Sequence, residues 1–204
     1  MTEVLQQNEE LILASSSPRR RELLERAGIA HRVVPPSIEE PAQSVLHLPP
    51  AGQAEALAYF KASAVAKEHP RALILGADTV VAVGQEVLGK PCDPDDARRM
   101  LCTLSNTRHQ VITGIALLKD AQTRLICSAT TWVTMRPIAD AEVADYVRSG
   151  EWEGKAGAYA IQETADRFVT AVEGAFDNVV GLPVELLQSM LAELRCHASA
   201  HNIS

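Results

Sequence analysis

At 204 residues, the chain has the length of one domain or of two closely packed lobes, since domains run to roughly 100–200 residues. Apolar residues make up 47% of it, enough for a core of its own, but aromatics make up only 4% and leave little to stack against successive bases. A formal net charge of −7 speaks against wrapping nucleic acid, which rewards a broad positive surface, yet permits a small anion held in a local basic pocket.

The first ten residues are polar and acidic, without the positive start and apolar stretch of a signal peptide. No apolar run approaches the roughly 20 residues of a membrane helix. The expected compartment is therefore the cytoplasm, with no membrane partner. Leu11–Ala14 reads as a buried strand. Ser17-Pro18 then opens a helix, with serine suited to the cap and proline to the first turn, and Gly28 stops it after about Ala27. Arg32–Val34 is a second strand. The loop that follows holds Pro35, Pro36, Pro41, Pro49 and Pro50 and is long enough to be a lid or an insertion. A helix is expected from about Gln53 to Glu68. Ala72–Val83 should form a strand that turns at Gly84-Gln85 into a hairpin with Glu86–Leu88.

Asp93-Pro94-Asp95-Asp96 starts a helix that reaches about Leu104. Gln110–Leu118 and Leu125–Met135 read as an antiparallel pair. Asp140 is expected to cap a helix ending at Gly150. Strands near Tyr159–Gln162 and Phe168–Val172 follow a glycine-rich loop, and Pro183 begins a last helix to about Arg195. Hairpins among the alternating strands and helices give a mixed α/β class. Residues 1–10 read as an N-terminal tail, 11–195 as one domain and 196–204 as a C-terminal tail. Cys92, Cys102, Cys127 and Cys196 are scattered without a C-x-x-C pair and read as free thiols. His197 and His201, beside Cys196, read as part of the frayed tail.

Three places break local rules. Arg19, Arg20 and Arg21 crowd the first turn of a helix, where the dipole already favours anions. A phosphate would compensate, bound by free N–H groups, the guanidinium groups and the Ser17 hydroxyl; the alternative is a solvated basic turn relieved by Glu22 and Glu25. Asp78-Thr79 interrupts an apolar strand: the aspartate either points to water from an edge strand or, among the apolar residues on both sides, calls for a partner, a Mg²⁺ ion or a role as general base. Gly84 to Lys90 has the G-x-x-x-x-G-K spacing of a phosphate loop, but Pro91 replaces the metal-binding hydroxyl and no helix follows. That reading is rejected, while Lys90 stays a candidate phosphate contact. Glu39-Glu40 is solvated surface or a pair of carboxylates able to share a metal with Asp78. His109 is an ordinary loop histidine or a general base, the former preferred.

Six segments in this order resemble the Maf family of nucleotide pyrophosphatases. They are Leu11–Arg20, Gly76–Val81, Leu88–Pro91, His109–Gly114, Gly154–Gln162 and Asn178–Pro183, and together they span nearly the whole chain. The resemblance implies a mixed, elongated twisted sheet with helices, in two lobes around a central cleft, related to the ITPase-like fold. It implies hydrolysis of nucleoside triphosphates with a divalent cation (Mg²⁺, Mn²⁺ or Co²⁺). Asp78 falls on the proton-acceptor position, and Arg19, Thr79 and Gln162 fall on positions that set base preference. Arg20, Lys61, Lys90 and Lys155 match basic residues of the phosphate channel, and Glu40 matches a cleft carboxylate. The Gly-Ala-Tyr and Ile-Gln pieces look like the branch that prefers dTTP and UTP, although Glu163 stands where the family usually has glycine. The resemblance also implies a homodimer.

The expected reaction is water attack on the α-phosphorus, with Asp78 as base or, together with Glu40, as metal ligand. A nucleotidyltransferase and a non-catalytic nucleotide sensor of cell division are the rival readings.

Overall fold

The computed structural model describes residues 10–37, 42–120, 123–161 and 164–201. Its strands are β1 (Leu11–Ala14), β2 (Arg32–Val33), β3 (Leu73–Val83), β4 (Glu86–Leu88), β5 (Arg108–Lys119), β6 (Thr123–Met135) and β7 (Val169–Glu173). Its helices are α1 (Pro18–Arg26), α2 (Ala42–Val45), α3 (Pro50–Glu68), α4 (Pro94–Leu104), α5 (Asp140–Ser149), α6 (Phe176–Val180) and α7 (Val184–His201). The strands join in one sheet of order β2-β1-β3-β5-β6-β7, with β4 also on β3. β1 pairs in parallel with β2 and β3, and the remaining pairs are antiparallel. The expected mixed α/β fold is what forms.

The pairing leaves a gap that positions the site. β1 accompanies β3 only as far as Ala14 opposite Gly76, and β4 joins β3 only from Val81 onward. Among the described residues no strand pairs with Ala77–Val80 on that flank. Side chains from both faces of β3 can therefore turn toward the same opening, as alternation along a strand otherwise forbids.

The even-numbered face of β3 packs under α3. Ile74 lies there with Ala58, Ala62 and Val65. This contact is unusually close because two positions have no side chain. A Cβ on Gly76 would stand 2.2 Å from the Ala58 carbonyl oxygen, and one on Gly114 would stand 2.4 Å from the Ala54 carbonyl. Gly114 is the register partner of Asp78. The odd-numbered face carries two apolar clusters. Leu73, Leu75 and Ala77 pack with residues from α1 and α7, whereas Val81 packs with residues of α4 and α5. Thr79 stands between the two.

Several local expectations change. α3 begins at Pro50, with Pro49 as its cap, because proline fits the first helical turn. Asp140 is not a cap but the first residue of α5; Ala139 precedes it, and Glu142 Oε2 accepts from the Ala139 N–H at 3.1 Å. No strand forms at 159–161. Gly157 and Ala158 adopt left-handed φ angles of 67° and 65°, which turn the chain out of extended geometry just before it. The short helix α6 was hidden by its five-residue length.

Gly114→Ala should lower stability by about 1–3 kcal/mol, the usual cost of overpacking a close contact. A shift in the urea midpoint at constant m-value is the measurement. An unchanged midpoint would show that α3 does not rest on the sheet at this glycine.

Candidate active site

A cavity of about 440 Å³ opens at the unpaired flank of β3, a size that suits a small ligand. Ser17, Arg19, Arg20, Lys61, Asp78, Thr79, Lys90 and Lys155 all line it. Residues expected from distant parts of the sequence thus share one space. Glu40 and Gln162 lie outside the described residues, as does Glu163.

The loop from Ser15 to Ser17 leaves the end of β1 and enters α1 at the cavity. Ser17 caps α1 by its backbone conformation, but its side chain makes no capping bond. The first turn holds no acid, so its N–H groups and positive dipole face a space suited to an anion. The three arginines separate by role. Arg21 points outward, 3.4 Å from Glu25 in an exposed pair. Arg19 lines the cavity and has no hydrogen bond or ion pair among the described residues. Arg20 is fixed by three hydrogen bonds: Nε donates to the Gly181 carbonyl at 2.8 Å, Nη1 to Ser15 Oγ at 3.2 Å and Nη2 to Thr79 Oγ1 at 3.1 Å.

That fixation continues into the core. The Thr113 hydroxyl donates to the Asn178 carbonyl at 2.9 Å. The 2.9 Å contact between the Thr79 and Thr113 hydroxyls must then have Thr79 as donor. The buried Asn178 amide donates in turn to the Val111 carbonyl and to Thr131 Oγ1, both at 3.0 Å. A chain of directed hydrogen bonds therefore runs from the Arg20 guanidinium through Thr79 and Thr113 to the Asn178 carbonyl.

On the other face of β3, Lys61 Nζ from α3 donates to Asp78 Oδ1. Both residues are 8% exposed. The carboxylate expected to need a partner has a lysine. Among the described lining residues Asp78 is the one carboxylate, set against Arg19, Arg20, Lys61, Lys90 and Lys155. Lys90 follows β4 and is exposed, and Lys155 is buried in the loop after α5. Gly157 N–H donates to the Gly89 carbonyl at 2.9 Å, so the segments bearing the two lysines are joined backbone to backbone.

His109, expected as an ordinary loop histidine, is placed differently. It lies on β5, wholly buried, and shares a 2.7 Å hydrogen bond with the Tyr159 hydroxyl; it is no loop residue. Burial lowers its pKa to about 4, and burial also raises that of Tyr159. Both are neutral at physiological pH, and His109 is set aside as a general base because it lies outside the cavity lining. Thr113, Asn178 and Gly181 were given no role by the sequence. Their only signal was membership of the resembling segments, because the hydrogen bonds that give them a role cross the sheet.

His109 also gives stability a pH dependence. An unfolded imidazole takes up a proton near pH 6.5, but the folded one does so only near pH 4. Between those values the unfolded chain binds more protons, so stability falls as pH is lowered through the window, by on the order of 3 kcal/mol. Urea titrations at pH 7 and pH 4.5 should show a steeper loss in the native chain than in His109→Gln. Equal losses in the two would mean that carboxylates alone set the acid limb.

Fold and cavity together define a mixed α/β protein with a basic pocket, sized for a polyanion, around the buried carboxylate of Asp78. The particular kin are clear from comparison: residues 10–194 match the family model described as Maf-like protein, and the chain belongs to that family. It is 46% identical over 185 residues to the dTTP/UTP pyrophosphatase of Ruminiclostridium cellulolyticum, covering 90% of this chain and 95% of that protein. It is 43% identical to the dTTP/UTP pyrophosphatase of Pelotomaculum thermopropionicum, covering 89% and 95%. Among solved structures it is similar to the Staphylococcus aureus Ham1 protein, with a TM-score of 0.46 and 16% identity over 62% of this chain and 71% of that one.

Proposed function

We propose that the protein hydrolyses nucleoside triphosphates, dTTP and UTP foremost, to the nucleoside monophosphate and pyrophosphate. The observation that carries this reading is the convergence of Arg19, Arg20, Lys61, Lys90 and Lys155 on one cavity around Asp78. The names of the similar proteins supply the base class. In this reading the chain from 11 to 195 works as one unit whose lobes meet at the cavity. No helix of the described residues is long and apolar enough to cross a membrane, and a cytoplasmic enzyme is the setting we assign.

Phosphoanhydride hydrolysis asks for positioned charge more than for covalent chemistry. Arg19, with no partner of its own among the described residues, takes the triphosphate at the α1 tip. Arg20 presents a fixed guanidinium beside it. Lys90 and Lys155, in the same lining, neutralise further charge. Water attacks the α-phosphorus, the bond to the bridging oxygen breaks, and pyrophosphate leaves with that electron pair. Asp78 accepts the water proton, and Lys61 holds its carboxylate in one orientation. Gln162 is assigned to the base edge on the strength of the resemblance.

The family resemblance implies a divalent cation. The described residues contain no group of three or more His, Cys, Asp or Glu placed to hold one. A single carboxylate among the described lining residues nevertheless fits an ion such as Mg²⁺, which takes most of its ligands from water and substrate phosphate. Asp78 would hold it, with Glu40 as the second candidate. When bound, such an ion supplies charge neutralisation and a more acidic water.

Purified protein should release pyrophosphate from dTTP and UTP when given Mg²⁺, Mn²⁺ or Co²⁺, and lose this on chelation. Free monophosphate with no acceptor present distinguishes hydrolysis from nucleotidyl transfer. Asp78→Asn should abolish turnover yet bind a non-hydrolysable dTTP analogue; a normal rate in that variant defeats the assignment. Arg19→Ala should weaken analogue binding about tenfold, as expected for losing one charge-assisted contact.

A further inference from the structure

We propose that His109 is a positioning residue: through Tyr159 it holds the loop 154–161 in the one shape that presents Lys155 to the cavity. The proposal rests on the reading of the cavity as a triphosphate site. It comes from four observations on this loop.

First, the loop cannot keep its shape by local preference. Gly154, Gly157 and Ala158 have left-handed φ angles of 69°, 67° and 65°. For Ala158 that conformation crowds the Cβ, and it persists only where surroundings over-determine it. Second, Gly157 is pressed against β3: a Cβ there would stand 3.0 Å from Val81 Cγ2. Its N–H donates to Gly89, next to Lys90. Third, two backbone bonds fix Lys155 within the loop. Its N–H donates to the Trp152 carbonyl at 3.2 Å, and its own carbonyl accepts from Ala158 at 3.1 Å. The left-handed Ala158 is thus tied directly to the lysine backbone. Fourth, the next residue is Tyr159, whose side chain lines the cavity while its hydroxyl reaches back to His109 on β5. The rings meet edge to face, with centroids 5.6 Å apart.

The loop is therefore clamped at two points, Gly157 on Gly89 and Tyr159 on His109. The second clamp anchors it to the central sheet. His109 is wholly buried and itself lies outside the cavity lining, so its influence on a ligand passes through Tyr159 and the Ala158–Lys155 bond.

Tyr159→Phe keeps the ring wall and removes one oxygen; His109→Leu removes the partner. Each should raise KM for dTTP about fivefold, the size of one hydrogen bond, with a smaller change in kcat. In a Lys155→Met background neither should raise KM further, because the lysine they position is gone. Independent factors that multiply would overturn the proposal, since a merely structural role gives that result. Should His109→Leu fail to fold, Tyr159→Phe decides alone. Hydrogen exchange supplies an arm that needs no turnover. In Tyr159→Phe the Gly157 and Ala158 amides should exchange faster while β5 stays protected, and unchanged loop protection sinks the idea. If the native chain releases no pyrophosphate at all, the proposed function fails on its own, and the exchange arm still tests the clamp.

Discussion

Helix α3 lies on the sheet at a distance that only glycine permits. Ala54, Ala58 and Ala62 recur every fourth residue and face Gly76 and Gly114, so helix backbone meets strand backbone with almost nothing between. Lys61 is carried by the same face and is lowered onto Asp78 as a result. Moving the helix outward by the width of a methyl group would separate the pair, and one wall of the cavity would lose its charge pattern. The site therefore depends on an apolar contact that contains none of its residues.

The pair so formed is a poor device for stability. Desolvating two charges costs several kcal/mol, and their attraction often does no more than offset it, so hydrophobic replacements of such pairs can be neutral or better. A buried lysine and aspartate at the mouth of an unpaired strand segment make more sense as preorganised charge. The gap between β1 and β4 leaves them close to water and to any ligand. It also lets Thr79, on the other face of the strand, look into the same space.

Much of this was legible in the sequence, and the reason is local. Arginines in a first turn and an acid in an apolar strand are violations visible without a partner, and both led to the cavity. The β3–β4 and β5–β6 hairpins followed from turn residues and alternation. What was not legible required knowing neighbours across the sheet. Nothing in the residues around His109 tells that β5 buries it against Tyr159, some fifty positions later in the chain. Nor does spacing distinguish Arg19 from Arg20 or Arg21. The strand expected at Tyr159 failed for a related reason: β-forming residues there follow two left-handed positions, and the backbone had already turned away.

The difference among the three arginines also bears on how a polyanion is received. A guanidinium held by Gly181, Ser15 and Thr79 loses little further freedom when a phosphate arrives, because the sheet already fixes it. Its neighbour Arg19 has no such bonds among the described residues and must be ordered by the ligand itself. In the proposed triphosphate site, one fixed cation defines where the charge is to sit, and one adjustable cation closes over it. Elsewhere in the lining Lys90 is exposed and Lys155 is buried in the loop after α5. Under the proposed function, a fixed guanidinium beside an adjustable one suits a flexible chain of phosphates better than a single rigid anion.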